Sequence, residues 1–185
     1  MAHIINGEVD NMGILYERYK IPVYAYFYKL TCGDREASED LVHTVFYRAI
    51  RYKYSFTGKG SFAKWLFRIA RNAGLDHNKK KRNSSGYDKY TIQAMHDLSY
   101  EPDYEKKEDL EILDRAIEKL DHEEREIILL GKIECLKYRE IAEILGTTEG
   151  NIRIRMFRAL KKLKDLFENI EMTRYEKARS KRKID

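Results

Sequence analysis

The sequence feature that most constrains the fold is a short apolar stripe that ends at a glycine and precedes a long basic segment. The stripe consists of four residues at helical spacing: Tyr138, Ile141, Ala142 and Leu145. Gly146 suits the C′ position that ends a helix, because glycine adopts positive φ at low cost. Thr148 can cap the next helix with its hydroxyl oxygen. This order of short helix, tight turn and longer helix predicts a DNA-binding helix-turn-helix.

The second helix of this motif, GNIRIRMFRALKKLK at residues 150–164, has an apolar face and a basic face. The apolar face consists of Ile152, Met156, Ala159 and Leu163. The basic face consists of Asn151, Arg155, Arg158 and Lys162, with Arg153, Phe157 and Lys161 alongside. A solvated helix ordinarily places acids four residues from its cations, yet this stretch has six basic residues and no acid. We therefore expect DNA phosphates to supply the missing anions and the N-terminal residues to reach base edges in the major groove.

Three further stretches of helical periodicity predict a first helical unit that ends near residue 82. A helix over residues 12–30 is expected to break or bend at Pro22, because proline removes a backbone donor. Asp34 can cap a second helix, and Ser61 can cap a third. The apolar stripe of the second helix consists of Leu41, Val42, Val45, Phe46 and Ala49. Residues 1–82 carry 15 basic and 8 acidic side chains, a net charge of +7, which suits a polyanionic partner.

The two helical units are separated by a stretch with different composition. Residues 83–104 contain one basic and four acidic side chains, with serines, a glycine and a proline, and show little periodicity. We predict an all-α protein with a first domain at 1–82, a flexible acidic linker at 83–104, a second domain at 105–170 and a basic tail at 171–185. The tail either adds nonspecific attraction to DNA or is simply solvated.

Composition excludes several other classes of protein. Hydrophobic residues make up 43% of the chain and charged residues 36%, and the longest aliphatic run is far shorter than the ~20 residues of a membrane span. We therefore expect a cytoplasmic protein with no membrane insertion. Cys32 and Cys135 are expected to be buried thiols rather than a disulfide framework. The five histidines are scattered along the chain: His3, His43, His77, His96 and His122. We therefore expect no metal site, no cofactor and no enzymatic activity.

A glycine loop joins the second and third helices of the first unit. Residues 56–61, FTGKGS, bring backbone, a cation and hydroxyls together, which is suited to holding an unstacked base. The neighbouring rings of Phe62 and Trp65 are expected to be largely core. Further along, Arg68, Arg71 and Asn72 leave one side of the third helix, which ends in four consecutive cations.

These segments together resemble a bacterial sigma factor of the small, two-domain extracytoplasmic-function (ECF) type. ASEDLVHTVFYRAI and FTGKGSFAKWLFRIARNAGLDHNKKKR are similar to region 2 of that family, and AIEKLDHEEREIILLGKIECLKYREIAEILGTTEGNIRIRMFRALKKL is similar to region 4. The resemblance implies a chain that docks on core RNA polymerase. Its second domain would read the minus-35 element as duplex, and its first would melt and capture the minus-10 element of promoter DNA.

The resemblance also implies three sets of contact residues. The set for core RNA polymerase is Asp40, Leu41, His43, Thr44 and Phe46, with His43 and Thr44 standing where the family usually has Gln and Glu. The set for minus-10 DNA is Lys53, Phe56, Lys59, Ser61, Arg68, Arg71 and Asn72. The set for minus-35 DNA is Asn151, Arg153, Arg155, Phe157, Arg158 and Lys162, with Ile154 at a place often held by a small polar residue. An anti-sigma factor is a further expected partner, and a free-standing helix-turn-helix regulator is the alternative interpretation.

Overall fold

The computed structural model describes residues 10–58, 60–83, 104–133 and 135–181. Within these ranges the chain forms α-helices and no strands, which confirms the all-α prediction. The helices are α1 Asp10–Leu30, α2 Arg35–Arg51, α3 Phe62–Asn83, α4 Tyr104–Glu118, α5 His122–Ile128, α6 Tyr138–Leu145 and α7 Glu149–Lys181. A 3-10 turn at Lys53–Ser55 follows α2, and a π-helical turn at Leu129–Ile133 follows α5. Nearly all of the predicted linker, residues 84–103, lies outside the described residues.

Side chains cap three of the helices, and those at Asp34 and Ser61 are caps that the sequence predicts. The carboxylate of Asp34 accepts a hydrogen bond from the backbone N–H of Ala37 at 3.0 Å at the start of α2. Ser61 Oγ accepts the N–H of Lys64 at 3.2 Å before α3. Asp121 and Glu124 form a reciprocal capping box at the start of α5.

The first helix passes through its proline: α1 is assigned as one helix over 21 residues, so of the predicted break or bend at Pro22 the break does not occur. A proline inside a helix costs about 3 kcal/mol because its ring removes a hydrogen bond and crowds the preceding turn. Val23, Tyr26 and Phe27 follow Pro22 and are fully buried. Burial of side chains of this size contributes roughly 1.5–3 kcal/mol each, which is enough to offset the proline.

A glycine in the π-helical turn lets the last helix pack closely. A Cβ at Gly131 would lie 2.4 Å from Met156 Cε and 3.3 Å from Ile141 Cδ1. Met156 and Ile141 are both buried and belong to α7 and α6 respectively. Gly131 is therefore the point at which α6 and α7 close over the π-helical turn.

The two helical units are packed against each other. Helices α1, α2 and α3 form the first unit, and α4 to α7 form the second. One cluster of buried apolar side chains runs from Phe27 and Phe67 in the first unit to Ile127 and Ile141 in the second. The contacts between units join α3 to α6, and α1 to α5 and the π-helical turn. The sequence indicated two units but could not indicate this packing, because periodicity identifies an apolar face and not its partner.

Two further expectations differ from the structure. Cys32 and Cys135 are exposed, so the prediction of buried thiols is wrong. Both have positive φ, 57° and 52°; Cys32 lies in the turn after α1, and Cys135 lies between the π-helical turn and α6. Helix α7 also runs through residue 170 to Lys181 without interruption, so the start of the predicted tail is helical.

Candidate nucleic-acid interfaces

The turn of the helix-turn-helix is fixed by local hydrogen bonds. Gly146 ends α6 in the left-handed conformation, with φ of 68°. Thr147 N donates to the carbonyl oxygen of Ala142 at 3.0 Å, and Asn151 N donates to Thr148 Oγ1 at 3.3 Å. Asn151 Nδ2 also donates to Thr147 Oγ1 at 3.1 Å. These bonds position the first turn of α7, where a DNA-reading helix presents its side chains.

The outward face of α7 carries exposed apolar and basic side chains. Phe157 is 70% exposed and Ile154 is 53% exposed, which is unusual for residues of this size. Arg158 and Lys161 are exposed beside them and have no ion-pair partner among the described residues. Ile152 on the opposite face is fully buried. This face can therefore contact both base edges and phosphates.

The remaining cations predicted for minus-35 contact are paired within the protein. Arg155 Nη2 lies 2.5 Å from Glu123 Oε2, and Lys162 Nζ lies 2.6 Å from Glu124 Oε2. The hydrogen bond to Glu124 raises the pKa of Lys162. Arg153 pairs with Glu149 at 3.2 Å within α7. The acids missing from residues 150–164 thus come from α5 and the start of α7, so Arg155 and Lys162 hold α5 against α7.

The glycine loop of the first unit rests on a cluster of aromatic rings. Phe56 is buried, with its ring centroid 5.8 Å from that of Phe62 and 5.5 Å from that of Trp65. Trp65 Nε1 donates to Ser55 Oγ at 3.1 Å, which holds the loop to α3. In this conformation Phe56 supports the loop from beneath and is not accessible for stacking on a base. Lys59 lies outside the described residues.

Much of the predicted minus-10 surface on α3 faces the second unit. Ser61 Oγ donates to Glu140 Oε1 at 2.7 Å, and Arg71 Nε lies 3.2 Å from Glu126 Oε1. Arg68 is exposed near Glu143. The other two members of the set are half-buried Lys53, whose ammonium lies 5.1 Å from the ring centre of Tyr54, and exposed Asn72.

Lys64, a residue that the predicted set omits, belongs to the same surface. Its ammonium donates to Glu143 Oε2 at 2.7 Å. This hydrogen bond holds the pKa of Glu143 below its ordinary value, with a smaller contribution from Arg68. The sequence pattern could have found Lys64, because it lies three residues from Ser61 and four from Arg68.

Helix α2 divides the predicted polymerase-binding set between its two faces. Asp40 and His43 are exposed and Thr44 is half-buried. Leu41 and Phe46 are only 4% and 5% exposed, so the structure places them in the interior of the first unit rather than on its outer face. Phe46 instead packs edge-to-face on Tyr16 with ring centroids 4.8 Å apart.

The outer face of α2 exposes other large side chains. Tyr47 is 65% exposed and Ile50 is 52% exposed, and both share this face with His43 at spacings of four and seven residues. Neither Tyr47 nor Ile50 belongs to the apolar stripe of α2, so periodicity alone does not single them out.

Two kinds of feature are absent from the described ranges. Among the residues that the structure describes, no group of three or more His, Cys, Asp or Glu side chains is arranged to hold a metal ion. No helix in the same ranges is both long enough and apolar enough to cross a membrane.

Family models match both helical units. The Sigma-70 region 2 model matches residues 15–84, which include most of α1 and all of α2 and α3. The Sigma-70, region 4 model matches residues 110–163, from α4 into the first half of α7. The helix-turn-helix and the α3 surface therefore each fall within a matched region.

Several known sigma factors are similar in sequence. The chain is 32% identical to the ECF RNA polymerase sigma factor BldN of Streptomyces coelicolor over 161 residues, or 85% of this chain and 60% of BldN. It is 28% identical to the ECF sigma factor SigM of Bacillus subtilis over 153 residues, 83% of this chain and 93% of SigM. It is 32% identical to the ECF sigma-E factor of Escherichia coli K12 over 130 residues, 65% of this chain and 68% of that protein.

Solved structures share the arrangement of helices. The sigma factor RpoE of Bartonella quintana, in complex with the anti-sigma factor NepR, superposes with a TM-score of 0.70 and 23% identity, over 86% of this chain and 98% of RpoE. CnrH, in complex with the cytosolic domain of CnrY, gives 0.68 and 22%, over 91% of this chain and 94% of CnrH. Together with the two family models and the sequence relatives, this shows that the chain belongs to the ECF RNA polymerase sigma factors, the family that directs RNA polymerase to promoters.

Proposed function

We propose that this chain directs core RNA polymerase to a set of promoters by contacting DNA at two places, with α7 at the minus-35 element and α3 at the minus-10 element. The observation that carries the proposal is the outward face of α7. It exposes Phe157 and Arg158 about two turns beyond the capped start of the second helix of a helix-turn-helix. A side chain of each chemistry is useful in the major groove, where Arg binds guanine and an apolar group contacts the thymine methyl.

The duplex contact is assigned to six residues with unequal roles. Asn151, Arg153, Phe157 and Arg158 are the proposed direct contacts, because they lie on the exposed side of the first turns of α7. Arg155 and Lys162 are paired with α5, so we propose that they set the angle of α7 and contribute to DNA affinity mainly through their charge.

The melted strand is assigned to the first unit. The proposed contacts are Lys53, Lys59, Ser61, Arg68, Arg71 and Asn72, with Phe56 shaping the loop from below. Hydroxyl, cationic and amide side chains of this kind bind the backbone and edges of an unpaired strand. Stacking is worth about 1–3 kcal/mol per base, which can offset the few kcal/mol of removing a base from the duplex.

Docking on the polymerase is assigned to the outer face of α2. We propose Asp40, His43 and Thr44 as contacts, with Tyr47 and Ile50 added from their exposure. Leu41 and Phe46 serve the interior of the first unit and shape this face from within.

The proposal also covers the partners and place of action. The role is regulatory rather than catalytic, and it is carried out in the bacterial cytoplasm, where promoter DNA and polymerase meet. The anti-sigma factor held by RpoE of Bartonella quintana motivates one further partner, an anti-sigma factor that holds this chain away from the polymerase.

In vitro transcription with core RNA polymerase and a genomic template library tests the function directly. We expect the chain to direct initiation to start sites that core polymerase alone does not use, upstream of which a shared minus-35 and minus-10 pair can be aligned. Arg158→Ala is expected to weaken that initiation, while the chain purified alone should give little promoter-specific protection. A sequence-specific footprint without polymerase would favour a free-standing regulator, and an absence of new start sites would contradict the proposal.

A further inference from the structure

The side of α7 that points farthest from the protein carries apolar side chains in its first turns. At about 100° per residue, Ile154 lies about 200° around the helix from fully buried Ile152, so it occupies the middle of the exposed face. Phe157 follows three residues later on the same face. The two side chains are 53% and 70% exposed. Large apolar side chains are usually buried, so two that adjoin on an exposed face indicate a surface that contacts another molecule.

The residues before and after this pair suit a helix that lies in a DNA groove. Gly150 lies one turn before Ile154, and no atom of the described residues outside the helix's own backbone lies within 4 Å of the position that its Cβ would take. A helix without a side chain there can bring its backbone close to another molecule. Lys161, one turn after Phe157, and Arg158 beside it are exposed and give this face positive charge. The apolar pair therefore lies between a point of close approach and two cations.

The polar side chains in the first turn of α7 have partners within the protein. Asn151 Nδ2 donates to Thr147 Oγ1 at 3.1 Å, and Arg153 Nη2 lies 3.2 Å from Glu149 Oε1. Both interactions join exposed groups, so DNA can replace them at small cost. Ile154 has no polar atom in its side chain. It can therefore distinguish base pairs only by shape and apolar contact.

The major groove offers one apolar group at the edges of the bases. Hydrogen-bond donors and acceptors line the groove at every base pair, and the exception is the C5-methyl group of thymine. An aliphatic side chain pressed against a donor or acceptor leaves that polar group without water or a partner, which is unfavourable. Beside a thymine methyl, the same side chain and the methyl both lose contact with water, which is favourable. Ile154 therefore favours a pair that contains thymine at the position that it faces.

We propose that Ile154 and Phe157 together select thymines at two base pairs of the minus-35 element, on either strand, through contact with the C5-methyl groups. This inference rests on the proposed function of α7 and adds the base that its apolar pair selects. Side chains three residues apart on a helix have Cβ atoms about 5–6 Å apart, and bases are stacked about 3.4 Å apart along a strand. The two thymines therefore lie on base pairs that are adjacent or separated by one.

A selection for the minus-35 sequence tests the preference. Holoenzyme assembled from core RNA polymerase and the full chain is mixed with promoter fragments whose minus-35 region is randomised, and the bound fragments are sequenced. The rest of each fragment comes from a start site that the transcription assay identifies. We expect thymine to be enriched at two positions that are adjacent or one apart. Ile154→Ser should abolish the enrichment at one of them and keep the rest of the motif, whereas Ile154→Val should retain both.

Met172→Ser is the matched control for Ile154→Ser. Met172 is an exposed apolar residue about five turns further along the same face of α7, far from the proposed contact with duplex DNA. The selected motif should therefore be the same as that of the unsubstituted chain.

Replacement of single thymines by deoxyuridine tests the contact at one chemical group, because the two bases differ only by the C5-methyl. At the position assigned to Ile154, the replacement should weaken binding of the unsubstituted holoenzyme about fourfold, the amount that corresponds to one buried methyl group. Binding of the Ile154→Ser holoenzyme should change little. Deoxyuridine tolerated without loss at every thymine of the motif would overturn the inference.

The outcomes separate this inference from the proposed function, with every variant checked for folding by circular dichroism. A motif that Ile154→Ser leaves unchanged would overturn the selection of thymine by Ile154 while α7 remains the minus-35 helix. If no minus-35 motif is enriched, the assignment of α7 to duplex DNA is wrong, and the inference falls with it. If Ile154→Ser weakens binding to core polymerase and leaves the motif unchanged, the apolar pair is a protein docking surface, which also overturns the inference.

Discussion

The two proposed DNA surfaces differ in what the rest of the chain does with them. Helix α7 exposes Phe157 and Arg158 to solvent, whereas α3 turns Ser61 and Arg71 toward acids of the second unit. Both helices combine cations with aromatic side chains, so their own sequences do not distinguish them. The difference lies in where the acids of other helices fall. Access to a basic surface is therefore a property of the folded chain and not of the segment that carries the charge.

The same contrast exists within α7. Arg155 and Lys162 are paired with acids of α5, while Arg158 lies between them in sequence and faces outward. At about 100° per residue, Arg158 lies only about 60° around the helix from Arg155 and about 40° from Lys162. The three cations therefore share one face, and what distinguishes them is the position of the acids of α5. The contrast between open and covered surfaces leads to four predictions.

The largest expected effect is a loss of stability on substituting buried Arg125 of the second unit. Arg125 is buried and donates hydrogen bonds to the carbonyl oxygens of Ile117, Glu118 and Leu120, which close the turn between α4 and α5. Arg125→Ala should destabilise the fold by about 3 kcal/mol, because several buried acceptors lose their donor. Urea unfolding monitored by circular dichroism measures this.

Exposed Arg115→Ala is the control for Arg125 and should change stability little. Similar unfolding midpoints for the two variants would show that the turn between α4 and α5 does not depend on Arg125. The hydrogen bonds of Arg125 would then contribute little to the stability of the second unit.

Single substitutions on the exposed face of α7 should distinguish side chains that contact bases from side chains that hold α7 in place. Phe157→Ala and Arg158→Ala should each weaken use of a minus-35-dependent promoter by about 1–3 kcal/mol if they contact bases directly. Arg155→Ala should cost less in DNA binding and more in stability, because its partner is Glu123. Competition assays with holoenzyme and mutated minus-35 elements measure the first effect. A larger loss of base discrimination in Arg155→Ala than in Arg158→Ala would reverse the two assignments.

Substitutions at two glycines, Gly131 and Gly150, test how closely α7 packs on the rest of the second unit. A Cβ at Gly131 would lie 2.4 Å from Cε of buried Met156, the flexible end of that side chain, so Gly131→Ala should destabilise the second unit by about 1 kcal/mol. Gly150 in the first turn of α7 has no atom within 4 Å of the added Cβ, and Gly150→Ala should stabilise the helix by up to about 1 kcal/mol. Thermal unfolding of both variants tests the pair, and a shift of the same sign in both would contradict it.

The smallest effect concerns pH and the start of α5. The backbone N–H of Glu124 donates to Asp121, and this hydrogen bond is the main reason that the pKa of Asp121 is lowered. A lowered carboxyl pKa contributes stability above the unfolded-state pKa, and the contribution is lost as the pH falls through the folded-state pKa. Because Asp121 is exposed, we expect a loss well under about 1 kcal/mol. Asp121→Asn keeps a capping oxygen and should flatten this acid limb; an unchanged pH profile would contradict the prediction.

Local features of the fold were predictable because they depend on neighbouring residues. The caps at Asp34, Ser61 and Asp121, and the left-handed Gly146, all follow from short-range hydrogen bonds and backbone sterics. The helix-turn-helix followed in turn, because its apolar stripes and its turn lie within one stretch of sequence.

The errors arose where a residue's role depends on a distant partner. Leu41 and Phe46 belong to the apolar stripe of α2, and periodicity alone places them in the core, yet the family resemblance suggested docking contacts. Both side chains are buried in the first unit, as the periodicity of α2 indicates. The acids that meet α3 lie 55 to 79 residues away in sequence, and no local pattern could have paired them.

The unbroken course of α7 has a mechanical consequence. Its 33 residues form a rod about 50 Å long, and the side chains proposed to contact duplex DNA lie near one end of it. Arg174, well along the rod, forms an ion pair with Glu108 near the start of α4. If α7 contacts DNA as proposed, a tilt imposed at the far end of the helix would be transmitted to that contact, and a probe attached at exposed Met172 would move with it.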